Sequence, residues 1–149
     1  MALTLARKAL PAWQKYCESK EPVYWSASSA SFIKINDRLL HISISVVENA
    51  SLHKFPENKN NDISRCYNEF VTPLIALQDG DWTIPYTAKK VFMAVYNILK
   101  ALTEQVDIAT VKSLLSLSVN QSLDCIDMSR LYLKEEIIAF LQSYRDQVM

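Results

Sequence analysis

The chain has 149 residues, half of them apolar, and its 16 basic and 16 acidic side chains give a formal net charge of zero. This length and apolar content predict one domain over residues 1–149, large enough to bury a sizeable core without disulfides or metals. The neutral balance, without a basic stripe, argues against nucleic acid as the main partner.

Glycine is almost absent, because Gly80 is the only one in the sequence. Glycine supplies the positive-φ positions of tight hairpins and phosphate loops. Its scarcity favours helices over sheet and excludes the dinucleotide, phosphate-loop and nucleophile-elbow motifs.

Three widely spaced cysteines, Cys17, Cys66 and Cys125, are typical of a reduced protein. We therefore expect an intracellular location, cytoplasmic or nuclear. No apolar run reaches the ~20 residues of a membrane span, so no span is expected. The basic, acid-free segment 2–16 leaves a mitochondrial targeting sequence open.

The amino-terminal segment predicts a helix that starts near Leu3 and ends before residue 21. Pro11 either separates two short helices or occupies the first position of the second one. Residues 20–31 (KEPVYWSASSAS) are serine-rich and predict a connection that carries two adjacent aromatic residues, Tyr24 and Trp25.

Residues 32–53 fit two patterns. Alternating β-branched residues in the stretch 41–46 (HISISV) favour a hairpin that turns at Asn36-Asp37. A stripe at helical spacing covers the whole segment and consists of Phe32, Ile35, Leu39, Ile42, Val46 and Ala50. The longer pattern predicts a helix over 32–53, and the hairpin remains the alternative.

Residues 56–62 (PENKNND) predict a polar, mobile connection. Asn61 or Asp62 then caps a helix that runs to about Leu77, and Gly80 follows at the expected place of a helix end.

Residues 87–103 predict the most apolar helix of the chain. Its tight stripe consists of Val91, Phe92, Val95, Leu99 and Leu102. A narrow polar edge remains, formed by Lys89, Lys90, Asn97 and Lys100. A helix that is apolar on most sides is expected at the centre of its fold.

Two further helices are predicted near 108–118 and 123–148. The whole pattern predicts an all-α fold, a single compact bundle or short helical array of five to seven helices around the central helix 87–103.

No catalytic, cofactor or metal motif is visible, so we expect no enzyme activity, no cofactor and no metal. His41 and His53 would lie about 120° apart on one helix, too divergent to share a metal ion. Asp124 and Asp127 share a helical face with Arg130, which is typical of a charge ladder in the first turn of a helix, here the one predicted over 123–148. The enzyme alternative is a Cys/His pair assembled in space, in a pocket that holds His41 or a cysteine beside a carboxylate.

Apolar residues in loops and on a second helix face carry the strongest functional signal. Tyr24 and Trp25 in one predicted loop, and Trp82 with Tyr86 in another, are of the type that anchors protein partners. Loops also fold back to bury such rings. The predicted core stripe of the last helix consists of Leu133, Ile137, Phe140, Leu141, Tyr144 and Val148. Leu131 and Ile138 fall on another face, and we expect them to contact a partner chain or a second copy.

These features predict a non-catalytic helical protein–protein interaction module, an adaptor, scaffold or subunit of a larger assembly. The partner is expected to be a protein of unknown identity, and self-association is open. Two alternatives remain. One is a small helical subunit that contacts RNA or DNA backbone through Lys89, Lys90, Lys100 and the basic amino-terminal segment. The other is a groove-bearing bundle that captures an amphipathic helix of a partner.

Overall fold

A computed structural model describes residues 1–52, 57–103 and 107–148 of the chain. This part is mostly helical, with six helices and one short two-stranded sheet. The elements follow in the order α1 (Ala2–Ser19), β1 (Val23–Ser26), β2 (Ser31–Lys34), α2 (Leu39–Leu52), α3 (Glu57–Asp79), α4 (Tyr86–Thr103), α5 (Ile108–Ser129) and α6 (Lys134–Val148). The predicted helical fold is confirmed, with a hairpin added between the first two helices.

Helix α4 lies at the centre, as the sequence predicts, and packs against α1, α2, α3 and α5. Two details of its predicted wheel are wrong. Leu102, placed in the core stripe, is half exposed, whereas Asn97, placed on the polar edge, is 3% exposed. The Asn97 amide donates to Gln121 Oε1 of α5 at 2.8 Å. Because α5 covers this side of α4, Asn97 is buried with a partner.

Helix α1 runs without a break through Pro11, so neither form of the predicted division at this residue is present. Its buried side continues across the proline, from Leu5 to Trp13. A proline inside a helix costs about 3 kcal/mol, and packing of this side against α4 and α5 compensates. Trp13 Nε1 also donates to the Asp37 carbonyl at 2.8 Å, which ties α1 to the start of α2.

Residues 23–34 form a β-hairpin in which β1 and β2 pair antiparallel, with Trp25 opposite Phe32. A four-residue loop joins the strands, and Ala30 in that loop takes a positive φ of 50°. Glycine usually occupies such positions because it has no Cβ. The scarcity of glycine therefore did not prevent a hairpin, since this loop needs only one such residue.

The helix predicted over 32–53 is wrong in its first part, and so is the alternative hairpin at Asn36-Asp37. Asn36 instead lies in the turn that precedes α2, where its Oδ1 accepts the Arg38 backbone N–H at 3.0 Å. The buried residues of α2 are Leu39, Leu40, Ser43, Ile44 and Val47. Ile42, which the predicted stripe turned inward, is exposed. The predicted stripe and the observed buried set both have helical spacing. Packing of α2 against α3 and α4 determines which of the two faces is buried.

Helix α3 begins at Glu57, so the connection predicted over 56–62 is helical from that residue onward, and the cap predicted at Asn61 or Asp62 is wrong. Asparagine and aspartate reduce helix stability by only a few tenths of a kcal/mol each, so a polar run does not by itself prevent a helix. Gly80 follows the helix with a φ of 82°, as predicted.

The boundary between the last two helices lies at residues 130–133, whereas the sequence predicted it near residue 120. Gln121 lies inside α5, where it is buried and accepts the hydrogen bond from Asn97. The helix ends at Arg130, which takes a left-handed conformation with φ 53°. The Leu131 N–H bonds to the Ile126 carbonyl at 3.4 Å, which completes a Schellman-type cap without glycine.

Candidate interaction surface

The hairpin is held against the helical body on one side of its sheet. Tyr24 is 5% exposed and faces the core. The Trp25 backbone N–H donates to the Asp81 carbonyl at 3.0 Å, and the Ile35 N–H donates to the Pro22 carbonyl at 2.8 Å. The first bond fastens β1 to the loop that follows α3, and the second joins the two ends of the hairpin, so the hairpin is a supported platform.

The outer face of this platform carries two exposed aromatic residues. Phe32 is 69% exposed and Trp25 is 38% exposed. They are direct cross-strand neighbours, and their rings meet edge to face with centroids 5.2 Å apart. We call Trp25 and Phe32 the aromatic pair. Phe32 was missed as a site residue because the helical pattern assigned it to a core stripe.

Trp82, predicted as a partner anchor, lies inside the fold and is 3% exposed. Its ring packs edge-on against Trp13 and Phe92, with centroids 6.2 and 5.1 Å away. Its indole Nε1 donates to the Tyr16 hydroxyl at 3.1 Å. Trp82 and Tyr24 therefore contact the core of this chain in the folded structure. Trp25 and Tyr86, the first residue of α4, are the members of the predicted aromatic set that remain accessible.

Side chains of α6 and of the loop before it contact the amino-terminal part of α1. The Lys8 ammonium lies 5.1 Å from the Tyr132 ring centre and 5.0 Å from that of Phe140, and the terminal amine of Met1 donates to the Tyr144 hydroxyl at 3.2 Å. Leu133 begins the predicted core stripe but is 68% exposed, so that stripe is wrong at its first residue. It lies before the first turn of α6, where the chain has just left α5.

Leu131 and Ile138, predicted to share an interface, differ in environment. Ile138 is 45% exposed. Leu131 is partly buried against the core, and it lines a cleft of about 360 Å³ together with Tyr16 and Pro85. Leu131 therefore contributes to packing within the chain, whereas Ile138 remains available to a partner.

An apolar groove of about 550 Å³ lies between the start of α1 and the first half of α5. Met1, Ala2, Leu115 and Val119 supply most of its apolar lining. This groove is the feature of the structure that corresponds to the predicted helix-capturing alternative.

The structure brings Cys17 and His41 together in a cleft of about 400 Å³ that Asp37, Glu18 and Arg38 also line. Burial raises the pKa of the Cys17 thiol to about 11, and the two carboxylates act in the same direction. Burial, with Arg38 nearby, lowers the pKa of His41. Both groups are neutral at pH 7, so this cleft does not hold the thiolate–imidazolium pair that activates a cysteine nucleophile.

The residues that the structure describes give little support for a metal site or a nucleic-acid site. Among them no cluster of three or more histidine, cysteine or acidic residues is arranged to hold a metal ion. Lys90 of the predicted backbone-contacting set lies 3.8 Å from an Asp124 carboxylate oxygen, and the Lys100 ammonium lies over the Tyr96 ring. Asp124 thus pairs across to α4, and the charge ladder predicted with Asp127 and Arg130 at a helix start is wrong, because these residues lie near the end of α5.

Comparison of the chain with protein-family models, with curated proteins and with solved structures finds no match. Within the described ranges, no helix combines the length and the apolar character needed to cross a membrane.

Proposed function

We propose that this chain is a non-catalytic helical interaction module that docks another protein through the outer face of its hairpin. The observation that carries the proposal is the aromatic pair, which is exposed on a strand platform fastened to a helical core. Large aromatic residues dominate the binding energy of protein interfaces because they bury much area at low conformational cost.

The energetics of the pair support docking. Full burial of a phenylalanine side chain contributes about 1.5–3 kcal/mol, and Phe32 leaves most of that contribution unused in the free chain. The platform adds preorganisation, because the Trp25–Asp81 hydrogen bond fixes β1 to the helical body and the Ile35–Pro22 hydrogen bond joins the ends of the hairpin. A partner would therefore bind two rings without having to order the hairpin.

The neutral thiol and imidazole of the Cys17–His41 cleft also favour a non-catalytic role. The alternative of nucleic-acid backbone binding has less support, because Lys90 already faces a carboxylate and the formal net charge is zero.

The test is affinity purification from the cells that make the protein, followed by reconstitution with the purified partner. We expect Trp25→Ser/Phe32→Ser to lose a partner that the unchanged chain retains. The matched control is Leu133→Ser, because Leu133 is as exposed as Phe32 but lies on another part of the surface. Equal binding by all three proteins would refute the proposal for the hairpin.

A second candidate function is capture of an amphipathic helix, which the apolar groove between α1 and α5 favours. Leu115→Asp would abolish binding in that case and leave it unchanged if the hairpin is the docking surface. Leu115 is partly buried, so the folding of this variant is checked by circular dichroism.

A further inference from the structure

Strand β2 is an open edge of the sheet. The edge of β1 is covered, because the Trp25 N–H donates to the Asp81 carbonyl. Within the described ranges, no backbone hydrogen bond reaches the outer edge of β2. All four residues of β2 are exposed. An uncovered edge with exposed apolar side chains is a template for another strand.

The register of the hairpin determines which groups point outward from this edge. The Trp25 N–H points away from β2, so Trp25 and Phe32 form a non-hydrogen-bonded pair. Pairs alternate in an antiparallel ladder. Ile33 is therefore bonded to β1, and the backbone N–H and C=O groups of Phe32 and Lys34 face outward.

We propose that β2 pairs with β2 of a second copy of this chain, antiparallel and around a two-fold axis at Ile33. In this register Phe32 of one copy lies opposite Lys34 of the other, and each such pair exchanges two backbone hydrogen bonds. Every outward-facing backbone group of these two residues is then satisfied, and the two Ile33 side chains meet at the axis.

Side-chain chemistry favours a second copy as the occupant. The Lys34 ammonium of each copy comes beside the exposed Phe32 ring of the other, which is a favourable cation–π arrangement. Ile33 is 36% exposed, and contact with its symmetry equivalent covers it. Lys34 already pairs with Glu21 at 3.1 Å, so the two lysines do not repel each other strongly. A formal net charge of zero adds no repulsion between the copies.

The pairing creates a four-stranded sheet with both aromatic pairs on one face, because residues directly opposite in a sheet share a face. It enlarges the docking surface proposed above but does not depend on that function. Two four-residue strands bury less than the ~1,200 Å² of a stable interface, so we expect a reversible, concentration-dependent dimer.

Sedimentation velocity on the purified full chain, from roughly 10 μM to 1 mM, tests this pairing across the range of weak affinities. We expect the average mass to rise from monomer toward dimer. Phe32→Lys places two lysines opposite each other and should weaken the dimer at least tenfold. Trp25→Lys is the matched control, since it adds the same charge on the covered strand and should have a smaller effect. Phe32→Lys/Lys34→Glu restores an attractive pair and should restore the dimer.

Amide hydrogen exchange on the unchanged chain provides a measurement that needs no variant. The Phe32 and Lys34 amides should become protected as concentration rises, while the Ile33 amide changes little. A chain that stays monomeric to about 1 mM, or a dimer that Trp25→Lys and Phe32→Lys weaken equally, would overturn the proposal. A monomeric chain that still loses its protein partner on Trp25→Ser/Phe32→Ser would leave the proposed function standing.

Discussion

Replacing Trp82 with alanine tests the placement of Trp82 in the core and of Trp25 on the surface. Trp82 is 3% exposed, contacts Trp13 and Phe92 edge-on, and donates to the Tyr16 hydroxyl. Truncation of a buried tryptophan costs about 3–5 kcal/mol, and loss of the buried hydrogen bond adds about 1 kcal/mol. A domain is stable by only about 5–15 kcal/mol, so Trp82→Ala should lose about a quarter of its free energy of unfolding or more.

Urea unfolding followed by far-UV circular dichroism measures this loss. Trp82→Phe keeps a ring but removes the N–H donor, and it should cost about 1–3 kcal/mol. Trp25→Ala is the matched control, because Trp25 is 38% exposed and loses mainly its contact with Phe32. It should cost no more than about 1.5 kcal/mol. Equal losses for Trp82→Ala and Trp25→Ala would refute the placement of Trp82 in the core.

Three further predictions concern polar and titratable groups. Asn97→Leu should lower the free energy of unfolding in urea by about 1–3 kcal/mol, because it leaves the buried Gln121 side-chain carbonyl without a donor. The double variant Asn97→Leu/Gln121→Leu should recover most of this loss. Losses that simply add in the double variant would contradict the pairing. Arg130→Gly should raise stability by up to about 1 kcal/mol, because Arg130 takes a left-handed conformation, and a lower melting temperature would argue against the cap. Burial raises the pKa of the Cys125 thiol to about 11 from an ordinary value of 9.0. As the pH rises, this thiol therefore ionises in the unfolded chain before it ionises in the folded one. The free energy of unfolding should keep its full thiol contribution below pH 9 and lose it as the pH rises toward 11. In unfolding curves measured at a series of pH values, Cys125→Ala should reduce this alkaline loss of stability. An unchanged dependence of stability on pH would contradict the role of the Cys125 thiol.

The central helix could be predicted from sequence because α4 is apolar on most sides, a pattern that fits few other positions in a fold. Its partners could not be predicted, and Asn97 shows why. A polar residue at helical spacing faces either water or a hydrogen-bonding residue on a neighbouring helix, and its own sequence neighbours are the same in both cases. The burial of Asn97 depends on Gln121, 24 residues away, so the choice is made by tertiary packing.

The hairpin could not be predicted for a related reason. Residues 32–53 carry a complete helical stripe, and the alternation typical of a strand is clearer in residues 41–46 than in 23–34. Short strands of four residues hold too few alternations to outweigh a long helical pattern. Tyr24 and Trp25 were recognised as candidate anchors in this segment, but only the strand register assigns one to the core and the other to the surface.

The most direct test of the proposed docking surface is photocrosslinking in the cells that make the protein. A photoreactive phenylalanine analogue is placed at Phe32 and, in a separate protein, at Leu133, since both side chains are about equally exposed. The proposed function predicts a discrete adduct with another protein from position 32 that is absent from position 133, and an adduct with a second copy would be identified by its mass. No adduct from position 32, or the same adducts from both positions, would contradict the hairpin as the docking surface.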